Sequence, residues 1–184
     1  LSAAVAAPFA VTDANAGAII TSGPVSMGIF DQGHVGFSGV GLAYAGVGDA
    51  LTPGCMCEGW GVAGNGIAGW ASVDNGGISN ITVDSFASTA STATTIVHLT
   101  SLPSLQVTQA YAPSAGAPTA LIQDTVTITN TGAVDILDIR YRRVMDWDVP
   151  PTEFAEYVTI GGLPAANLLY SDDNGFTHSS PLSP

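Results

Sequence analysis

Apolar and polar residues alternate with period two through "ATTIVHLT", "SLQVTQAY" and "LIQDTVTIT", runs that are rich in Thr, Val and Ile. Each run predicts a strand with one wet face, because successive side chains of an extended chain point to opposite sides. In "DTVTITNTG" Val126 and Ile128 fall on one face, and Thr125, Thr127 and Thr129 on the other. Asn130-Thr131-Gly132 supplies turn chemistry, so the segment after it should pair back as the next strand. From Ala10 to Gly77 the chain is glycine-rich, which penalises helix and favours short strands and turns. Alternation shows in "HVGFSGVGLAYAGV", and "DNGG" at 74–77 suits a tight hairpin turn. No 12-residue window joins helical periodicity to a capping signature. The pattern therefore predicts an all-β chain, an antiparallel β-sandwich or jelly-roll-like fold. Residues 24–184 would form one sandwich domain, preceded by an extended N-terminal arm, or a first strand, over residues 1–23.

A strand over residues 134–148 would place Leu137, Ile139, Tyr141, Met145 and Trp147 on a core face, with Asp138, Arg140, Arg142, Asp146 and Asp148 opposite. The second face reads as a ladder of alternating charge. Arg143 has core parity. Either a β-bulge at Arg142 and Arg143 absorbs it, or it is buried against a carboxylate, Glu153 or Glu156, brought over by the Pro150-Pro151 turn. The buried pair is the preferred reading, since a bulge would turn Met145 and Trp147 outward.

Composition narrows the function. The 184 residues carry 3 basic against 15 acidic side chains, a formal charge of -12, and Arg140, Arg142 and Arg143 are the only cations. Such a balance repels nucleic-acid phosphates and anionic lipid surfaces. No apolar run reaches the 18 residues of a membrane span. Charged residues make up only 10%, with Gly, Ser, Thr and Ala in their place, which suits an extracellular protein. "LSAAVAAPFA" has the small-residue spacing of a signal-peptidase site at Ala4 and Ala6, so residues 1–23 read equally as a leader remnant.

The motif Tyr141-Arg142-Arg143-Val144-Met145-Asp146-Trp147-Asp148-Val149-Pro150-Pro151, with "LTPGCMCEGWGV" upstream and "SDDNGF" downstream, resembles a domain of secreted bacterial proteins, many of which carry a PEP-CTERM sorting signal. The resemblance runs from about Phe30 onward. It implies a secreted, surface-associated β-sandwich more than it implies an activity. The domain usually continues further and the sorting signal is absent here, which implies a shortened or processed form, or a strand supplied by a neighbour.

Chemistry-bearing constellations are sparse. Asp146 and Asp148 are a carboxylate pair, but the adjacent arginines would hold both ionised, against acid/base catalysis. Asp172, Asp173 and Asn174 could hold calcium, and Asp74-Asn75 more weakly, although both are also good turn sequences. Cys55 and Cys57 could form a disulfide in a tight turn or crosslink subunits. Trp60, Trp70 and Trp147 could stack on sugars or pack in the core. No phosphate loop, nucleophile elbow or dinucleotide fingerprint is present. The resulting expectation is a non-enzymatic, extracellular structural subunit of a filament, surface layer or matrix, self-associating through β-sheet edges and needing no cofactor. The alternative is a carbohydrate-binding or calcium-dependent adhesion module that recognises surface glycans.

Overall fold

The computed structural model describes residues 16–155, 157, 159 and 166–183. These residues form twelve strands: β1 Gly17–Ser22, β2 Val25–Phe30, β3 Leu42–Tyr44, β4 Gly48–Asp49, β5 Glu58–Gly64, β6 Ile67–Ser72, β7 Ile78–Ser79, β8 Ile81–Ser88, β9 Ala93–Leu99, β10 Leu102–Pro113, β11 Ile122–Asn130 and β12 Arg140–Met145. A single turn of 3-10 helix at Phe37–Gly39 is the only helical piece among them. Three antiparallel sheets result, with strand orders β1-β2-β3-β4, β12-β5-β6-β7 and β11-β10-β9-β8. The fold is all-β, as the alternation predicts.

One face of the β11-β10-β9-β8 sheet underlies both of the others. Along β9 the buried positions are Ala93, Thr95, Val97 and Leu99, and along β10 they are Leu105, Val107, Gln109 and Tyr111. Register pairs Val97 with Val107, Thr95 with Gln109, and Ala93 with Tyr111. Val97, Leu99, Leu105 and Val107 pack against Trp60, Val62 and Ala71 of the second sheet. Ala93 and Tyr111 pack with Ile20, Met27, Ile29, Val35 and Leu51 of the first sheet and its loops. The molecule is thus a two-layer arrangement in which two smaller sheets sit side by side over one long common sheet. Thr95 and Gln109 mark the line where they meet.

β5 is buried on both sides. Its Trp60 and Val62 face the common sheet, while Gly59 and Gly61 face a C-terminal segment at Ser179–Pro181. A Cβ on Gly61 would stand 2.9 Å from Pro181 Cδ, so only a bare backbone lets this cover approach.

Three expectations are corrected. The segment after Asn130-Thr131-Gly132 does not pair back on β11: the chain crosses to the other layer and β12 pairs with β5, Arg143 opposite Trp60. The strand is also shorter than 134–148. Asp138 takes a left-handed φ of 51°, and Leu137 and Ile139 are 67% and 44% exposed rather than in the core. Asp146, Trp147 and Asp148 lie beyond the strand's end, so no charge ladder forms along it. Of the two readings of residues 1–23, an arm or a first strand, residues 17–22 take the second: they are the outer strand of the protein's own hairpin, Gly17 opposite Phe30 and Ser22 opposite Val25. The position between residues 23 and 24 is the turn of that hairpin. The rest of the proposed arm, residues 1–15, lies outside the described residues.

Candidate functional site

The meeting line of the two smaller sheets is a band of buried polar groups. The loop joining β2 to the 3-10 turn, Asp31 to Gly36, plugs it and is buried throughout. Its backbone is tied to every neighbour. Trp60 Nε1 donates to Gln32 O at 2.9 Å, Tyr111 Oη to Gly33 O at 2.8 Å, and Thr95 Oγ1 to Asp31 O. Gly33, at φ 85°, presses against the seam so closely that a Cβ would lie 2.5 Å from Gln109 Nε2. That approach and its positive φ both require glycine.

Arg143 sits at the centre of the band. No bulge deflects it, because β12 and β5 pair in continuous register. Its Nε lies 2.5 Å from Glu58 Oε1, and its Nη1 donates to Gln109 Oε1 at 2.7 Å, Tyr111 Oη at 3.0 Å and Asp124 Oδ2 at 3.3 Å. The partner is therefore Glu58, assisted by Asp124, and not Glu153; Glu156 lies outside the described residues. Glu58 and Arg143 are diagonal neighbours on adjacent strands, which is why the ion pair forms without distorting either. The other Glu58 oxygen accepts the Val35 N–H at 2.5 Å, so the carboxylate also anchors the plugging loop.

Burial sets the electrostatics here. It pushes the Glu58 carboxyl up, with the Arg143 charge and the Val35 N–H holding it back. It pushes Asp124 up in the same way, against Arg143 and the Tyr111 hydroxyl. His34, stacked on Phe30 at 4.3 Å, is driven down to about 3, first by burial and then by the Arg143 charge, so it is neutral at ordinary pH. The Tyr141 hydroxyl is pushed up to about 12 by burial. Arg143 itself stays charged: desolvation is the largest single influence and works against the cation, but the Glu58 carboxylate and the Tyr111 and Tyr141 hydroxyls together more than offset it.

Beside this cluster the seam flares open. The edge strand β12 and strand β3 diverge over the inner face of β11, leaving a cleft of about 540 Å³. Apolar side chains line its walls, among them Met27, Leu42, Ile122, Val126, Met145 and Trp147. Arg143, Asp124, Tyr44, Tyr111 and Tyr141 are the polar members of its lining. Arg143 and Asp124 keep 22% and 20% side-chain exposure.

The remaining candidates are scattered. Arg140 pairs with Asp138 at 2.8 Å in solvent, and Arg142 donates to the carbonyls of His178, Ser180 and Ser183, clamping the C-terminal segment onto β12. Asp146 lies near the cysteines, Cys55 Sγ to Asp146 Oδ2 at 3.6 Å, and Asp148 is buried at 5% exposure. Asp172, Asp173 and Asn174 form an exposed turn in which Asp172 and Asn174 accept backbone N–H groups two residues on. Asp74 accepts the Met56 N–H and Asn75 donates to Gly175 O. Cys55 and Cys57 are joined in a disulfide, Cα to Cα 5.2 Å. Trp60 is fully buried, Trp70 stands edge-on to His178 and donates to Gly76 O, and Trp147 packs against the core, so the three tryptophans form no common platform.

Glu58 and Asp124 are the two charged members that do not figure among the residues expected from the sequence, and the uncharged Gln109 and Tyr111 join them. Both carboxylates were legible by parity: Glu58 lies two residues before Trp60, and Asp124 two before Val126, so each shares its strand's core face. Searches against protein-family models, curated proteins and solved structures find no match to this chain.

Proposed function

We propose that the chain is an extracellular structural subunit that joins its neighbours through β-sheet edges. The observation that carries this reading is the outer edge of β11. It runs nine residues, Ile122–Asn130, at the end of its sheet, and among the described residues its backbone pairs only with β10. Its one inward-pointing charge, Asp124, is paired within the protein to Arg143, and the other usual protections are missing. Proline and lysine are absent from it, its register with β10 is unbroken, and its solvent face carries uncharged Gln123, Thr125, Thr127 and Thr129. The opposite edge of the same sheet, β8, is interrupted by a register shift between Val83 and Ser85. With one open edge, β11 pairing antiparallel with β11 of a second copy gives a two-fold joint and a continuous sheet through both.

The Cys55–Cys57 disulfide supports an oxidising, exported setting. Exposed Leu168, Leu169, Tyr170 and Phe176 along the C-terminal segment add apolar surface for further contacts. Light scattering of the purified chain across a concentration series tests the proposal. Self-association is expected, and Thr125→Lys with Thr127→Lys, on the solvent face of the edge, should return it to monomer without altering the melting profile. A wild-type chain that stays monomeric at every concentration, together with single particles in electron micrographs, would rule the reading out.

A further inference from the structure

The cleft over β11 runs beneath the free edge of β12, and the two together have the form of a docking site for a strand. The Asp146 N–H donates to Cys57 O at 3.0 Å, on the β5 side. Backbone direction alternates along a strand, so Arg140, Arg142 and Val144 also turn their N–H and C=O groups to β5, and Tyr141, Arg143 and Met145 turn theirs to the free edge. Among the described residues those outward groups have no backbone partner. The same three residues line both the cleft and the groove between β12 and residues 167–175, so space lies on both faces of the edge. Beneath it the cleft, about 540 Å³, presents Met27, Leu42, Val126 and Trp147. Its charged members are already paired with each other, Arg143 Nη1 to Asp124 Oδ2 at 3.3 Å. What remains for an occupant is a row of backbone hydrogen bonds over an apolar recess. That combination recognises an extended peptide, its main chain on the sheet edge and its alternate side chains in the recess.

The sequence contains a stretch with this pattern. Residues 1–12 have no charged side chain, and Val5, Ala7, Phe9 and Val11 fall on one parity with Ala4, Ala6, Pro8 and Ala10 on the other. We propose that this stretch of a second copy docks on β12 as an antiparallel strand, with Val5, Ala7 and Phe9 turned into the cleft. Proline decides the direction. In an antiparallel addition the inward residues are those whose N–H groups meet β12, so Pro8 falls on the outer edge, where its missing N–H costs nothing and blocks a further strand. A parallel addition would turn Pro8 to β12 instead. Setting Ala7, the smallest inward residue, opposite Arg143 brings Val5 beside Met145 and Phe9 beside Tyr141. Met145 packs with the cluster of the first sheet and Tyr141 with that of the second, so the docked stretch runs away from the first sheet. Within one chain only residues 10–15 would remain to double back to β1, on the edge of the first sheet opposite to β4, and Gly48 of β4 borders the cleft. A second copy meets no such constraint. The inference rests on the structural-subunit reading and extends it. A two-fold β11 joint by itself stops at two chains, whereas docked stretches link one pair to the next, each weak between lone chains and strengthened by multivalency once pairs exist.

The test uses the full chain carrying Thr125→Lys and Thr127→Lys, so that the β11 edge plays no part, and a fluorescein-labelled peptide of residues 1–12 followed by anisotropy. Saturable binding is expected. A peptide with Val5→Asp and Phe9→Asp should bind at least about tenfold more weakly. Ala7→Pro in the peptide removes an N–H that meets β12 and should abolish binding, while Ala6→Pro, on the outer parity, should leave it within about twofold. Val47→Asp in the protein changes a cleft-lining residue that is 57% exposed, so folding is not at issue, and should weaken the peptide several-fold. No saturable binding, or equal loss from Ala6→Pro and Ala7→Pro, would overturn the proposal. So would binding that emerges only when the protein itself also carries Val5→Asp and Phe9→Asp, the mark of a stretch that fills its own cleft. The peptide is read without the β11 edge, so its failure leaves the light-scattering test of that edge untouched, and a failed edge leaves the peptide result standing.

Discussion

The common sheet is covered twice, and the two covers are built on opposite chemistry. Under the second sheet, Val97, Leu99, Leu105 and Val107 meet Trp60 and Val62 with every side chain apolar and fully buried. One residue pair further along the same strands, Thr95 and Gln109 begin a band in which Arg143, Glu58, Asp124, Tyr111 and His34 are held together by charge and hydrogen bonds. Apolar packing tolerates small displacements and volume-conserving repacking within its register, since contact area is non-directional. An ion pair does not, because a shift of one residue turns Glu58 or Arg143 to the other face and strands a charge. The dry half supplies cohesion, and the polar band fixes how the two smaller sheets abut.

The largest expected effect comes from breaking the band. Glu58→Ala leaves Arg143 buried without its main counter-charge and Val35 without its acceptor, a loss of about 3–5 kcal/mol by urea denaturation. Glu58→Leu combined with Arg143→Met should recover much of that loss, because a well-packed apolar pair needs no desolvation. If the double variant is no better than Glu58→Ala alone, the band is not held chiefly by charge.

A cut in the dry half sharpens the contrast from the other side. Leu105→Ala is expected to cost about 3 kcal/mol through lost burial and the cavity left behind, equally at pH 5 and pH 8. The band, by comparison, should respond to pH. His34 is held at about 3 in the fold against 6.5 when free, so the unfolded chain takes up a proton that the folded chain refuses. Stability should fall as pH drops from 6.5 toward 3, by about 1.4 kcal/mol per unit at most. The raised carboxyls of Asp31, Glu58 and Asp124 act in the opposite sense. Their contribution is present below the free carboxylate value and lost as pH rises through the folded one, so they offset part of the acid loss near its lower end. Denaturation series of wild type and His34→Gln between pH 7 and 4.5 read the difference: the variant should show the shallower acid decline. The smallest effect belongs to Asp138→Asn, which removes the partner of solvent-exposed Arg140 and should leave the urea midpoint unchanged within error.

Much of this was legible in the chain. The runs around Val97, Val107 and Val126 alternate so regularly that β9, β10 and β11 follow from the sequence, and period-two parity puts Arg143 on the core face beside Tyr141 and Met145. Leu137 and Ile139 misled the same reasoning, because apolar residues with the right parity were assigned to a strand that begins only at Arg140. The cleft was not legible at all. It exists where two sheets built from distant parts of the chain fail to meet.

Side-chain parity is a local property, fixed by the geometry of one extended segment, and so the sequence alone determined that this protein is all-β and that its third arginine points inward. Which carboxylate meets that arginine depends on which strand lies alongside β12, a pairing between residues 58–63 and 140–145 that is decided by the packing of whole sheets. Glu153 is close along the chain and Glu58 is remote from it. Only the tertiary structure, by laying β12 on β5 and plugging Asp31–Gly36 between the layers, could favour the remote one.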